Sequence, residues 1–187
     1  VRDTFALAWT DISTGAFRVM PISPVRLSPE LARLSPKEVL VLDGADANYG
    51  EIVSESGAAI TPLGRSSFDS TSGEDRLKSL FQVSSLDGFG AFERAELSAM
   101  GALIDYLDIT QKGKLPLLRP PVREFANENI QIDAATRRNL ELTHSLSGAR
   151  DGSLLSAIDR TLTSGGARLL ERRISSPARK LSVIHQR

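Results

Sequence analysis

The sequence predicts an α/β unit followed by an all-α segment that is part of a larger helical domain. Three observations predict it. Strand and helix patterns alternate between Val1 and Lys112, as they do in mixed α/β domains. The stretch QKGKLPLLRPPVREFANEN then loses all helical period, and Pro120-Pro121 fits neither a helix interior nor a central strand. From Asp133 onward only helical patterns recur. The charge changes at the same place. Up to Lys112 there are ten basic and sixteen acidic residues, net −6; from Asp133 there are ten and five, net +5, in a chain of formal net charge zero. The expected division is therefore an α/β unit at 1–112, a linker at 113–132 and a helical part at 133–187.

Along the first part, FALAWTDI and AFRVMPI are apolar and partly alternating, and STG between them marks a hairpin whose Gly15 can take a positive φ. SPELARL reads as a helix with Ser28 at the N-cap and Pro29 at the first helical position. KEVLVLDG gives a buried strand over Val39–Leu42, and GAAITPL a weaker one centred on Ile60. Ser66 to Gly73, rich in Ser, Thr and Gly, reads as a loop, and EDRLKSLFQ as a short helix. AFERAELSAMGALIDYLDIT is a longer helix with Leu97, Met100, Ile104 and Leu107 on one face; Gly101 in its middle would allow close approach to a sheet.

In the second part, NIQID reads as a short extended piece and DAATRRNLELTHSL as a helix. Asp133 is placed to cap it, Ala135, Leu142 and Leu146 form its buried face, and Arg137 or Arg138 can pair with Glu141. SLLSAIDRTL follows, with Leu154, Leu155, Ile158 and Leu162 on one side, then ARLLERRI with Ala167, Leu170 and Ile174 in register. Glycines at 148, 152, 165 and 166 punctuate these helices, and Pro177 stops the last. So small a helical unit needs partners to complete a core. The chain lacks an initial Met and ends just after a new helix start at Ser182, as an excised piece of a longer protein would.

Composition excludes several classes of function. No apolar run approaches the roughly 20 residues of a bilayer span, and Asp3 and Asp11 crowd the first apolar stretch too closely for a signal peptide. The absence of cysteine removes disulfides, thiolate metal sites and a cysteine nucleophile, in keeping with a cytoplasmic protein. KGKL lacks the rest of a P-loop, and GFGAFE is half of a dinucleotide fingerprint, better read as a turn before the long helix. Glu141 and His144 have the spacing of one di-iron ligand pair, but no second pair exists. Asp11, Asp43, Asp105 and Asp108 lie on separate elements and could serve a metal-dependent nuclease using Mg²⁺ or Mn²⁺. The simpler reading makes them turn and surface carboxylates. The basic helical part could meet DNA phosphates, with a steep salt dependence as its signature.

TQKGKLP, DAATRRNLEL, GSLLSAIDRT and GARLLERRI resemble, in order and spacing, the MutS family of DNA mismatch repair proteins, and DISTGAF near the start is similar to that family's pattern as well. The resemblance covers essentially the whole chain. It implies that 1–112 is the connector domain, with a fold similar to ribonuclease H, and that 133–187 opens the helical core or lever domain. Full-length members dimerise, clamp around mismatched duplex DNA, use ATP and Mg²⁺, and recruit MutL. The mismatch-reading Phe-x-Glu motif belongs before Val1 and the Walker motifs after Arg187. The resemblance therefore assigns this chain no catalytic, cofactor-binding or metal-binding residue of its own: it implies a non-catalytic portion of a DNA-dependent ATPase.

Overall fold

The computed structural model describes residues 4–186. Asp3, used above in the signal-peptide argument, and the terminal Val1 and Arg187 lie outside them. Packing divides the chain into two units, one comprising the residues up to Val25 with Lys37–Ala126, the other Arg26–Pro36 with the residues from Asn127 onward.

In the first unit, β1 (Phe5–Asp11) and β2 (Ala16–Ile22) form the expected antiparallel hairpin, in register from Phe5↔Ile22 to Asp11↔Ala16. Gly15 turns it at φ 68°, and a Cβ there would lie 2.4 Å from the Leu117 carbonyl oxygen, so glycine is required twice over. β2 is the middle strand, because β5 (Val122–Arg123) joins its other edge in parallel. β3 (Glu38–Leu42) and β4 (Ala59–Leu63) form a separate parallel pair, connected through α2 (Asp46–Glu55). The strands thus form two small sheets rather than one larger mixed sheet. Pro62 is tolerated in β4 because a two-stranded sheet has a free edge.

α3 (Ser70–Phe81) and α4 (Arg94–Thr110) complete this unit. The loop expected through Gly73 ends earlier, because the Asp69 carboxylate accepts from the Ser72 N–H at 2.8 Å and starts α3 there. Met100, Ile104 and Leu107 of α4 are buried with Phe17, Val19, Leu77, Leu86 and Leu118, and Leu97 packs against them. Gly101 does meet a close neighbour, but it is α3 and not a sheet: a Cβ on Gly101 would lie 2.3 Å from the Gly73 Cα. Residues 113–126, expected as linker, pack in this unit instead. Leu118 enters the core, the Arg119 N–H donates to the Gly15 carbonyl at 2.8 Å, and Glu96, 1% exposed, accepts from Arg123 Nε at 2.7 Å.

The second unit contains α1 (Leu27–Leu34), α5 (Ala134–Asn139), α6 (Leu154–Ile158), α7 (Ser164–Ser175) and α8 (Leu181–His185). α1 begins at Leu27 after a 3-10 turn, so Ser28 and Pro29 lie inside it rather than at its cap; the proline is harmless there because the first-turn N–H groups have no helical acceptor. NIQID is extended at one point, where Asn129 bridges Ala178. The helix expected over residues 133–146 is cut short at Asn139. Glu141 takes a positive φ of 47°, and the carbonyls of Glu141 and Leu142 turn to accept from the Leu154 and Leu155 N–H groups. Leu142 and Leu155 are thereby buried, whereas Leu146, Leu154, Ile158 and Leu162 of the expected apolar faces are exposed.

Asp133 does cap α5, its carboxylate accepting from the Thr136 N–H at 2.9 Å and from the Thr136 hydroxyl at 2.7 Å. These bonds hold the Asp133 carboxyl below its ordinary value of 3.8, as bonds from Ser72 do for Asp69 and bonds from Thr161 do for Asp159. A depressed folded-state pKa stabilises the fold above the unfolded value and loses that contribution as pH falls through the folded one. Stability should therefore decline below about pH 4. Asp133→Asn keeps the cap without the titration, so its urea midpoint should fall less steeply with acid than that of the native sequence. Asp133→Ala removes the cap and should lower the urea midpoint at neutral pH.

Candidate functional site

The four carboxylates that could have made a nuclease centre are each otherwise engaged or apart. Asp11 closes the hairpin turn, accepting from the Ser13 N–H and hydroxyl at 2.9 and 2.6 Å and from the Thr14 hydroxyl at 2.8 Å. Partial burial pushes its carboxyl up, but those bonds together outweigh it and leave the pKa lowered. Asp43 is an exposed residue after β3, and Asp105 is paired with Arg76 at 3.1 Å on the α3–α4 side. Asp108 is exposed on α4. Among the described residues, no three or more His, Cys, Asp or Glu side chains gather where they could hold a metal ion. Glu141 is likewise turned away from metal chemistry, its carboxylate accepting from the Leu146 N–H at 2.6 Å while His144 is exposed beside Thr143.

The structure does assemble a polar cluster that sequence patterns did not reveal. Glu30 of α1, 6% exposed, accepts from Arg33 Nε at 2.6 Å and from Arg26 Nη2 at 3.4 Å. Arg33 also donates through Nη1 to the Ser176 hydroxyl at 3.1 Å, joining α1 to the end of α7. α1 packs on α5, and the only buried residue of α5 is charged: Arg137, 9% exposed. Its Nε and Nη1 are buried with no hydrogen-bond partner. Desolvation pulls the Arg137 pKa down and the nearby Arg33 adds to that, while Glu30 opposes both. Arg137 does not reach Glu141, the partner its spacing offered. The adjacent arginines in DAATRR were the one visible signal; that α1 would arrive from the distant SPELARL segment was not legible there.

The arrangement is one of ion pairs and helix contacts. Residues 1–119 match the model of MutS domain II, and residues 135–187 match that of MutS domain III. The chain belongs to the MutS family. It is 65% identical over 187 residues to the DNA mismatch repair protein MutS of Paracoccus denitrificans (strain Pd 1222), covering all of this chain and 21% of that relative. The same-named protein of Ruegeria sp. (strain TM1040) is 65% identical over 189 residues, and that of Roseobacter denitrificans 60% over 187, again at full coverage of this chain. The chain thus spans about a fifth of the length of the MutS relatives it matches. α1 lies inside the sequence matched as domain II, yet it packs among helices that follow from the domain III match. No helix among the described residues is long and apolar enough to cross a membrane.

Proposed function

We propose that this chain is the non-catalytic connector and opening lever portion of a DNA mismatch repair recognition protein, and that it couples binding of mismatched duplex DNA to the ATPase and to MutL recruitment. The observation that carries the reading is the match to MutS proteins over the whole chain, with domain II at 1–119 and domain III at 135–187. The full protein is read as a homodimeric, cytoplasmic, DNA-dependent ATPase with ATP and Mg²⁺ bound outside these residues. The α/β unit is read as a ribonuclease-H-like connector without nuclease chemistry of its own. The proposed domains are a connector at 1–112, a link at 113–132 and a lever part at 133–187.

The test is transplantation. Replacing the matching residues of the Paracoccus MutS with this chain, in a strain lacking its own MutS, should return the spontaneous mutation rate to the parental level. A rate equal to that of the null strain would reject the reading. MutL pull-down by the same protein, with surface substitutions on the α/β unit, checks the partner role. Binding unaltered by changes on every exposed face would sink that part alone.

A further inference from the structure

The chain crosses between its two units three times. It leaves the first at Val25, supplies α1 to the second, returns at Lys37, and leaves again after Ala126. The links flanking α1 are residues 23–25 and 35–37, each with a proline and exposed at every position but Pro36. Three residues span about 10 Å at most, so the first unit is restrained by these links as long as α1 stays packed. With α1 unpacked, only the crossing after Ala126 joins the units.

α1 is held by little for an element in that position. Of its eight residues only Glu30 and Leu31 are buried. Glu30 accepts from Arg26 and Arg33, which lie beside it on the same stretch of chain, so these bonds do not depend on packing against other helices. Arg33 does bond across, to the Ser176 hydroxyl at 3.1 Å. Against this stands Arg137 of α5, the helix on which α1 packs, with Nε and Nη1 buried and unpartnered and with Glu30 and Arg33 near enough to act on its charge. Enclosing a guanidinium in that way is unfavourable, and unpacking α1 returns water to it. The packing of α1 is therefore a near balance, with burial of Leu31 on one side and dehydration of Arg137 on the other.

We propose that α1 is a releasable clasp: it unpacks from α5 and from the end of α7 while both units stay folded, and so replaces three ties between the units by one. This rests on the coupling function proposed above and deepens it, by naming the element that holds or frees the α/β unit. Local opening of this kind belongs to elements with few buried apolar side chains, which is the condition of α1 and not of α4.

The experiment uses the full-length protein. Amide exchange read by mass spectrometry follows α1 against α4 and α7. Spin labels on Asp87→Cys and Arg168→Cys, one exposed position in each unit, read the spread of distances between the units. An eight-residue helix has little stability of its own, so α1 exchanges freely once released. Leu31→Ala removes the one buried apolar side chain of α1. It should raise α1 exchange about tenfold or more, leave α4 and α7 unchanged, and broaden the distance distribution. Arg137→Met removes the dehydrated charge at similar volume, and should slow α1 exchange about tenfold and narrow the distribution. Loss of α7 protection together with that of α1 in Leu31→Ala would make α1 an integral part of its unit and overturn the proposal. Unchanged or faster α1 exchange in Arg137→Met overturns it too, as does a distance distribution indifferent to both substitutions. None of these readouts involves the mutation rate of the transplantation test, so failure of the clasp and failure of the family function remain distinguishable.

Discussion

Gly101→Ala should lower the melting temperature of the protein by roughly 6–12 °C, from an overpacking cost of about 3 kcal/mol. The reason is the crossing of α3 and α4. The new methyl would lie 2.3 Å from the Gly73 Cα and 3.4 Å from its N, and both are backbone atoms that cannot rotate aside. Gly73→Ala meets the same wall from the other side, 2.5 Å from the Leu97 carbonyl oxygen. Relief requires the helices to part, and that would uncover Leu77 and Met100, both of which are completely buried. The gain in helix propensity, at most about 1 kcal/mol per glycine replaced, is too small to compensate. Gly165→Ala is the control: it too sits in a helix, nothing lies within 4 Å of its Cβ position, and it should be neutral or stabilising. Equal melting temperatures for Gly101→Ala and Gly165→Ala would show that the helices are not held this closely.

That pair of glycines is only half legible in the sequence. Gly101 stood out because a glycine inside an amphipathic helix needs a reason, and the reason was close approach. Its partner did not stand out. Gly73 lies in STSG, whose composition reads as loop, and only the carboxylate of Asp69 capping at Ser72 converts it to helix. α2 carries little sequence signal for a related cause, since DANYGEIVSE has Gly50 in its middle and mixes apolar with polar residues without a clean stripe. The hairpin, the β3 and β4 strands and the α4 core face were legible from local period, although of β3 and β4 only Val41 is buried.

In the helical unit local period and burial do not coincide. Leu162 reads as core by spacing and is fully exposed, while Arg137, one of the two arginines whose spacing offers Glu141 as a partner, is buried. Period reports which residues could share a face; it does not report what lies opposite that face. The family was nonetheless legible, because the order and spacing of short motifs survive even when their elements are cut short. The polar cluster was not legible, because α1, α5 and α7 are segments too far apart in the chain for spacing to relate them.

Arg123→Met should destabilise the α/β unit by about 3–5 kcal/mol, by stranding a buried carboxylate. Glu96 is 1% exposed and spends its two oxygens separately. Oε2 accepts from the Glu93 N–H at 2.8 Å, closing a capping box at the start of α4, and Oε1 accepts from Arg123 Nε at 2.7 Å. Arg123 also donates to the Ala91 carbonyl at 3.2 Å and lies 5.6 Å from the centre of the Phe125 ring. This one side chain therefore ties β5, and with it the return of the chain past Pro120-Pro121, to the N-terminal end of α4. Without Arg123 the cap remains but its carboxylate keeps a buried charge with nothing opposite. Glu96→Gln retains the cap acceptor and removes that charge, so it should cost less than Arg123→Met. In the double variant the arginine change should cost at least 1 kcal/mol less than it does alone. Urea denaturation of the two single variants and the double variant measures this coupling. Additive losses would mean that the pair is merely a neighbouring contact, and that β5 is held to the unit by its ladder with β2, the Arg18–Glu124 ion pair and the burial of Leu118.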